Sequence, residues 1–134
     1  MMISTRGRYA LRVMIDLAEN GGGAPVAMKA VAERQGISRK YMEKIMPLLV
    51  AAGMLEGIHG KGGGYRLTRE PSAIRVGEIL RLTEGDLAPV ACLECGAETC
   101  ARSPDCRTLP MWSELYRRMN EYLDSVTLAS LMQK

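Results

Sequence analysis

The stretch that decides the fold is residues 28–68, MKAVAERQGISRKYMEKIMPLLVAAGMLEGIHGKGGGYRLT. Met28 to Gln35 has the apolar spacing of a short helix, and Gly36-Ile37 predicts a tight turn after it. Ser38 can then cap a longer second helix. We expect that helix to bury one apolar stripe, formed by Tyr41 or Met42, Ile45, Leu48 or Leu49, and Ala52. The sequence thus predicts two helices joined by a short turn.

Pro47 lies inside the predicted second helix. A proline in a regular helix interior costs roughly 3 kcal/mol, because it lacks the backbone N–H and clashes with the preceding turn. The sequence therefore predicts either a kink at this point or a break into two helices.

A β-hairpin is predicted after the two helices. Residues 54–59 and 65–68 are short β-like runs, and they flank the glycine-rich segment Gly60-Lys61-Gly62-Gly63-Gly64. Helix, turn, helix and hairpin, in this order, are the elements of a winged helix-turn-helix. The predicted fold class is therefore mainly α with a small β-hairpin wing.

Further helices are expected on both sides of this unit. Thr5 or Ser4 can cap a first helix that ends at Asn20-Gly21-Gly22-Gly23, and another helix is predicted over residues 76–82. Pro110 opens a long helix near the C-terminus. The apolar positions of this long helix are Trp112, Leu115, Tyr116, Met119, Tyr122, Leu123 and Val126.

These elements divide the chain into three segments. Residues 1–83 are expected to form a winged helix-turn-helix DNA-binding domain. Residues 84–109 are an irregular loop that contains all four cysteines, and residues 110–134 are the long helix and a tail.

The charge of the chain is unevenly distributed. Residues 1–70 contain 11 Lys and Arg against 6 Asp and Glu, whereas residues 71–134 contain 7 against 9. A basic first half is typical of a surface that faces a polyanion, although a solvated charged face gives the same pattern. The chain has five tyrosines, one tryptophan and no phenylalanine. This scarcity of stacking platforms disfavours a single-strand binder.

The sequence lacks the features of a membrane protein, of a secreted protein and of an enzyme. No apolar run approaches the length of a membrane span, and Arg6, Arg8 and Arg12 interrupt the N-terminus where a signal peptide has its apolar core. We therefore expect a cytoplasmic protein with no membrane partner. An enzyme is not expected, because the chain has one histidine and no recognisable nucleophile–base or acid pair.

The exposed face of the second helix carries the candidate contacts to DNA. In the major groove, arginine pairs with guanine and glutamate accepts from the cytosine amine, which suits Arg39 and Glu43. Lys40 and Lys44 are expected to meet phosphates, which fix the register and make binding salt-dependent. The predicted DNA-binding residues are Arg6, Ser38, Arg39, Lys40, Tyr41, Glu43, Lys44, His59, Lys61 and Gly62.

The glycine-rich hairpin tip also favours double-stranded DNA as the partner. Successive glycines beside Lys61 let the backbone approach a phosphate or enter a minor groove. A nucleotide-binding loop is disfavoured, because Gly62 rather than Ser or Thr follows Lys61 and no helix comes next. A small helical domain with a hairpin of no DNA-binding role remains an open alternative.

Four cysteines, Cys92, Cys95, Cys100 and Cys106, lie within fifteen residues of one loop. Disulfides are disfavoured in the cytosol, and a loop lets several thiolates converge on one point, so metal ligation is predicted. Three options remain open on spacing alone: an iron–sulfur cluster, a zinc site, for which a single Cys-x-x-Cys unit is atypical, and a redox dithiol.

Along nearly its whole length the chain resembles the IscR/NsrR-type winged-helix transcription regulators of bacteria. The matching stretches are STRGRYALR at residues 4–12, GISRKYME at 36–43, GKGGGY at 60–65, VGEI at 76–79, Trp112, and YLDSVTL at 122–128. The resemblance implies a homodimer that binds a palindromic operator, with the long C-terminal helix as the dimer interface.

The resemblance also implies a cofactor. In many members three cysteines hold a two-iron or four-iron cluster whose state changes the affinity for DNA. By position, Cys92, Cys100 and Cys106 match these ligands, although the loop after Cys92 is two residues longer than expected. An iron–sulfur cluster that senses redox state, iron or nitric oxide is therefore expected.

The fourth ligand is where the chain departs from the family. Leu109 stands where IscR-type members have histidine, and Arg8 stands where some NsrR-type members have an aspartate. Cys95 is the natural substitute, which gives an all-cysteine site, or else Cys95 takes the place of Cys92. The alternative is a cluster-free or zinc-bearing regulator of the same fold, controlled by a protein or metabolite partner.

Overall fold

A computed structural model describes residues 2–133, so Met1 and Lys134, the outer ends of two predicted segments, lie outside the described residues. Its helices are α1 (Thr5–Gly21), α2 (Met28–Gln35), α3 (Arg39–Ala51), α4 (Val76–Glu84), α5 (Leu109–Ser125) and α6 (Leu128–Leu131), and its strands are β1 (Leu55–Ile58) and β2 (Gly64–Leu67). Three single-turn 3-10 segments complete the chain: Pro71–Ala73, Ala91–Leu93 and Ser103–Asp105. This is the mainly α architecture with a small hairpin that the sequence predicts.

The first helix begins and ends at the predicted signals. The Ser4 hydroxyl accepts a hydrogen bond from the Gly7 N–H at 3.2 Å, which caps the N-terminus of α1. Gly22 ends the helix with a φ of 54°. Glycine adopts this left-handed conformation without the steric penalty of a Cβ atom.

The turn between α2 and α3 is also the predicted one. Gly36 has a φ of 65°, and Ile37 is 4% exposed, so the turn inserts an apolar side chain into the core. The Ser38 hydroxyl then accepts a hydrogen bond from the Tyr41 N–H at 3.1 Å and caps α3. Local sequence signals therefore fix where α3 starts.

Of the two alternatives predicted at Pro47, a kink or a break, the break is wrong, because α3 runs across Pro47 as one helix. Most helical stability in proteins comes from packing of an apolar face rather than from local propensity. The side chains that α3 buries on that face are Met42, Ile45, Met46 and Leu49. Their burial outweighs the local cost of the proline.

The predicted burial of Ala52 is also wrong. The helix ends at Ala51, and Gly53 turns the chain with a φ of 76°. Ala52 is the C-cap residue and is exposed.

The hairpin is a two-stranded antiparallel sheet, which we call the wing. Its register pairs Leu55 with Leu67 and Ile58 with Gly64. A further bridge joins Tyr65 of β2 to Val26, with both N–H···O distances at 2.8 Å. The wing is thereby fixed to the segment that leads into α2.

One hydrophobic core joins α1, α2, α3, β1 and α4. The tail contributes to it through Leu128 of α6, which is fully buried. The Leu128 N–H donates to the Ile74 carbonyl at 3.0 Å, and the Val76 N–H donates to the Val126 carbonyl at 2.9 Å. The C-terminal tail therefore packs back against α1 and against the segment that leads into α4, which the sequence did not predict.

The long helix α5 lies on α4 but has no fully buried residue. Tyr116 and Leu123 pack against the cluster formed by Val76, Leu80 and Leu87. Its outer face exposes three large apolar side chains: Met111 (52%), Leu115 (40%) and Tyr122 (67%). None of the helices in residues 2–133 combines the length and the apolar character needed to cross a membrane.

Candidate nucleic-acid interface and cysteine loop

The outer face of α3 is charged and exposed. The exposed side chains at its first turns are Ser38, Arg39, Lys40, Glu43 and Lys44. The other face of α3 is held in the core, so this polar stripe is the side of the helix that faces solvent. Its residue types are those that contact bases and phosphates in the major groove.

Two of the predicted contact residues at the start of α3 have roles within the protein itself. The hydroxyl of Ser38 caps α3. Tyr41 is partly buried, and its ring meets Tyr9 of α1 edge-on, with centroids 5.1 Å apart and an interplanar angle of 70°. Both residues therefore position the start of α3.

The wing presents the three residues predicted from its sequence. His59, Lys61 and Gly62 are all exposed. The N–H of Gly63 donates to the carbonyl of Gly60 at 3.0 Å and closes the tip. Because β1 packs against α3, the structure brings the base of the wing to α3.

Arg6, the predicted contact near the N-terminus, is exposed but also anchors α1. Its Nη2 donates to the carbonyl of Thr83 at 2.7 Å, at the end of α4. Next to it, the N–H and the hydroxyl of Ser4 both donate to Oε1 of Glu84, at 3.0 and 2.6 Å. Arg6 thus lies where the N-terminus of α1 is fixed to the C-terminus of α4.

Sequence reasoning missed an ion pair with a buried carboxylate behind the helix-turn-helix. Asp16 of α1 is 1% exposed, and Arg34 of α2 donates to both of its carboxylate oxygens. Burial raises the pKa of Asp16, but the hydrogen bonds from Arg34 and Gln35 outweigh burial and leave the pKa below its usual value of 3.8. The available signal was a carboxylate placed between Ile15 and Leu17 of the apolar stripe.

Three of the four cysteines line one cavity of about 320 Å³ in the loop before α5. They are Cys92, Cys100 and Cys106. Their sulfurs are not gathered tightly, since in the part of the chain that the structure describes no three His, Cys, Asp or Glu side chains form a metal-ligand group. Three cysteines therefore line one cavity, but their side chains do not form a ready ligand group.

Leu109 lines the same cavity. At this position the resemblance implies a ligating histidine, whereas this chain has an apolar side chain. Glu98 also lines the cavity and brings an anionic oxygen donor to it.

Cys95 lies outside this cavity, and its backbone is fixed by Asp86. The Cys95 N–H donates to Oδ2 of Asp86 at 2.6 Å, while the Tyr116 hydroxyl of α5 donates to Oδ1 at 2.9 Å. The hydrogen bond from Cys95 is the main cause that lowers the pKa of Asp86, and the bond to Asp86 raises the pKa of Tyr116. Asp86 therefore connects the cysteine loop to the long helix.

Cys106 lies just before the N-terminus of α5. Its sulfur is 3.5 Å from the hydroxyl of Thr108. The side chain of Thr108 and the backbone N–H groups of Thr108 and Leu109 lower the pKa of the Cys106 thiol. Hydrogen bonds of this kind favour the thiolate, which is the form that binds metals.

Comparison with protein families and known relatives gives a consistent result. The family model Rrf2, described as an iron-dependent transcriptional regulator, matches residues 3–134. The protein rrf2 of Nitratidesulfovibrio vulgaris (strain Hildenborough) is 39% identical over 133 residues, which cover 99% of this chain and 88% of that protein.

Solved structures agree with the sequence relatives. CymR, the global cysteine regulator of B. subtilis, superposes with a TM-score of 0.80 at 37% identity, covering 98% of this chain and 95% of CymR. The IscR of T. potens superposes with a TM-score of 0.75 at 35% identity, covering 98% of this chain and 85% of that protein.

Proposed function

We propose, because this chain belongs to the Rrf2 family of transcriptional regulators, that it binds a palindromic operator in double-stranded DNA as a homodimer in the cytoplasm. The observation that carries the proposal is the division of α3 into a buried apolar face and an exposed polar face beside the wing. A symmetric dimer presents two such helices to half-sites about one DNA turn apart.

The proposed contacts fall into two classes. Arg39 and Glu43 are proposed to contact base edges, because arginine can pair with guanine and glutamate can accept from the cytosine amine in the major groove. Lys40, Lys44 and Lys61 are proposed to meet phosphates. The remaining proposed contact residues are Arg6, Ser38, Tyr41, His59 and Gly62.

Replacing Lys61 with alanine is expected to weaken binding to every duplex and to reduce the slope of log affinity against log salt concentration by about 1.

Replacing Glu43 with alanine should instead reduce the preference for the operator over a scrambled duplex, because a base contact is lost and the phosphate contacts remain. Fluorescence anisotropy titrations of an operator and a scrambled duplex, at several salt concentrations, measure both effects. An unchanged slope would exclude the phosphate contact, and an equal loss on both duplexes would exclude base reading by Glu43.

The finer proposal is that an iron–sulfur cluster in the cysteine loop controls the affinity for DNA. The donors suit such a group, because Cys92, Cys100 and Cys106 line one cavity and thiolates are the usual cluster ligands. When bound, the cluster supplies a centre that responds to redox state, iron supply or nitric oxide. Glu98, which lines the cavity, would supply the fourth ligand, and Cys95 is the alternative.

The contacts of Asp86 indicate how the loop communicates with the rest of the chain. Asp86 holds the Cys95 N–H on one side and the Tyr116 hydroxyl of α5 on the other. A rearrangement of the loop that moves Asp86 therefore also displaces Tyr116 and, with it, α5. Since α5 is proposed as the dimer interface, a small shift there changes the spacing of the two α3 helices that read the operator.

Replacing Cys106 with serine is expected to abolish cluster binding, whereas Cys95→Ser should retain it. The reason is that Cys106 lines the cavity and Cys95 lies outside it. Anaerobically purified proteins are compared by visible absorption and by iron and sulfide content. Loss of iron in Cys95→Ser would instead establish the all-cysteine site, and full iron content in Cys106→Ser would contradict the proposed ligand set.

A second candidate is a cluster-free or zinc-bearing regulator controlled by a metabolite or protein partner. The likeness to CymR, whose structure is that of a global cysteine regulator, favours it. The same purification separates the two functions. Colourless wild-type protein without iron and sulfide, with full operator affinity, would support the second candidate.

A further inference from the structure

The buried carboxylate of Asp16 lies at the centre of a polar network that joins α1 to the end of α2. Nε and Nη2 of Arg34 donate to Oδ2 and Oδ1 of Asp16 at 3.0 and 2.7 Å, and Nε2 of Gln35 donates to Oδ2 at 2.9 Å. The Arg34 contact is bidentate, so it fixes direction as well as distance. The pair is weak evidence for stability, since burial of the Asp16 carboxylate offsets much of its attraction to Arg34, whose side chain is 40% exposed.

A second contact holds the same end of α2. Arg12, one helical turn before Asp16 on α1, donates through Nη2 to the backbone carbonyl of Gln35 and through Nε to the Gln35 side chain at 3.2 Å. The carbonyls in the last turn of a helix have no partner within the helix. Arg12 and Asp16 of α1 therefore hold Arg34 and Gln35, the last two residues of α2, by hydrogen bonds.

Arg34 and Gln35 directly precede the turn of the helix-turn-helix. Gly36 and Ile37 follow Gln35, and Ser38 already caps α3. On the far side of the turn, Tyr9 of α1 contacts Tyr41 in the first turn of α3. The guanidinium of Arg12 lies 5.2 Å from the centroid of the Tyr9 ring. One face of α1 thus holds the chain on both sides of the turn.

We infer that Asp16 is a positioning residue for operator recognition: through Arg34 and Gln35 it sets the angle at which α3 presents its base-reading side chains. Asp16 is 1% exposed and acts without touching DNA. Apolar packing tolerates small rotations, whereas a bidentate ion pair has one geometry. This inference rests on the proposed function, because it assumes that α3 reads the operator.

The test compares Asp16→Asn with Glu33→Gln, which removes the same charge from an exposed position on α2. Loss of a negative charge alone strengthens binding to any duplex, and this is expected for Glu33→Gln. Asp16→Asn should instead lower the ratio of operator affinity to scrambled-duplex affinity by about tenfold, since displaced base contacts affect only the operator. Arg34→Lys, which keeps the charge but not the bidentate geometry, should act in the same direction.

The operator for this test is selected from random duplexes with the wild-type protein. If the wild type selects no sequence, the proposed function fails. If it selects one and Asp16→Asn keeps the wild-type affinity ratio, the positioning role alone is overturned. A partly unfolded variant lowers both affinities by the same factor and leaves the ratio unchanged, so that outcome also counts against positioning.

Discussion

Replacing Leu115 with glutamate is expected to convert the proposed dimer to a monomer and to lower the operator affinity by about 100-fold, because a monomer loses the coupling between two half-sites. Leu115 is 40% exposed in the isolated chain and shares the outer face of α5 with Met111 and Tyr122. These residues are four and seven positions apart, so they lie on one side of the helix. An isolated charge in such an apolar contact costs several kcal/mol.

Analytical ultracentrifugation and operator titrations measure the two effects. Leu115→Met is the matched control, since it keeps an apolar side chain of similar size and should remain dimeric. Thermal unfolding is expected to show that the glutamate variant is folded, because Leu115 does not belong to the core of its own chain. A stable dimer of the glutamate variant would rule out this face of α5 as the interface.

Replacing Gly64 with alanine is expected to detach the wing. A Cβ at this position would lie 2.1 Å from the Val26 carbonyl oxygen and 2.8 Å from the Ala27 nitrogen, and both atoms belong to the backbone. The φ of Gly64 is 150°, which L residues rarely adopt. Relief of the clash requires the bridge between Val26 and Tyr65 to open. We expect a loss of at least about 3 kcal/mol in the free energy of unfolding, at the upper end of single substitutions.

Gly60→Ala provides the matched control for Gly64→Ala. Gly60 also has a positive φ, 92°, but a Cβ there would meet nothing within 4 Å. Its cost is therefore limited to backbone strain of about 1 kcal/mol. Urea unfolding measures the difference in stability, and operator titration measures the loss of the wing. Equal stability losses in the two variants would contradict the anchoring role of the bridge.

The sequence predicted those features that depend on neighbouring residues. Ser38 caps α3 because its hydroxyl reaches the Tyr41 N–H three residues later, and Gly36 forms the turn because glycine adopts the required φ. The exposed stripe of α3 follows from helical spacing. Both α3 and the wing could therefore be located from the order of the residues alone.

Features that depend on distant residues were not predicted. The helix α3 continues across Pro47 because its buried face packs against other elements of the core. The partner of Asp16 is 18 residues away, and the partner of Arg6 is 77 residues away. No local pattern encodes such pairings, because their energy depends on burial and on the relative placement of whole helices.

The cysteine loop shows the same division. The sequence by itself determined that four thiols lie close together along the chain and that Leu109 stands where the family resemblance implies a ligating histidine. Only the tertiary structure placed Cys92, Cys100 and Cys106 around one cavity and fixed the backbone of Cys95 to Asp86 instead. The physical reason is that an irregular loop has no internal periodicity, so its shape is set by contacts with α5 and with the residues that follow α4.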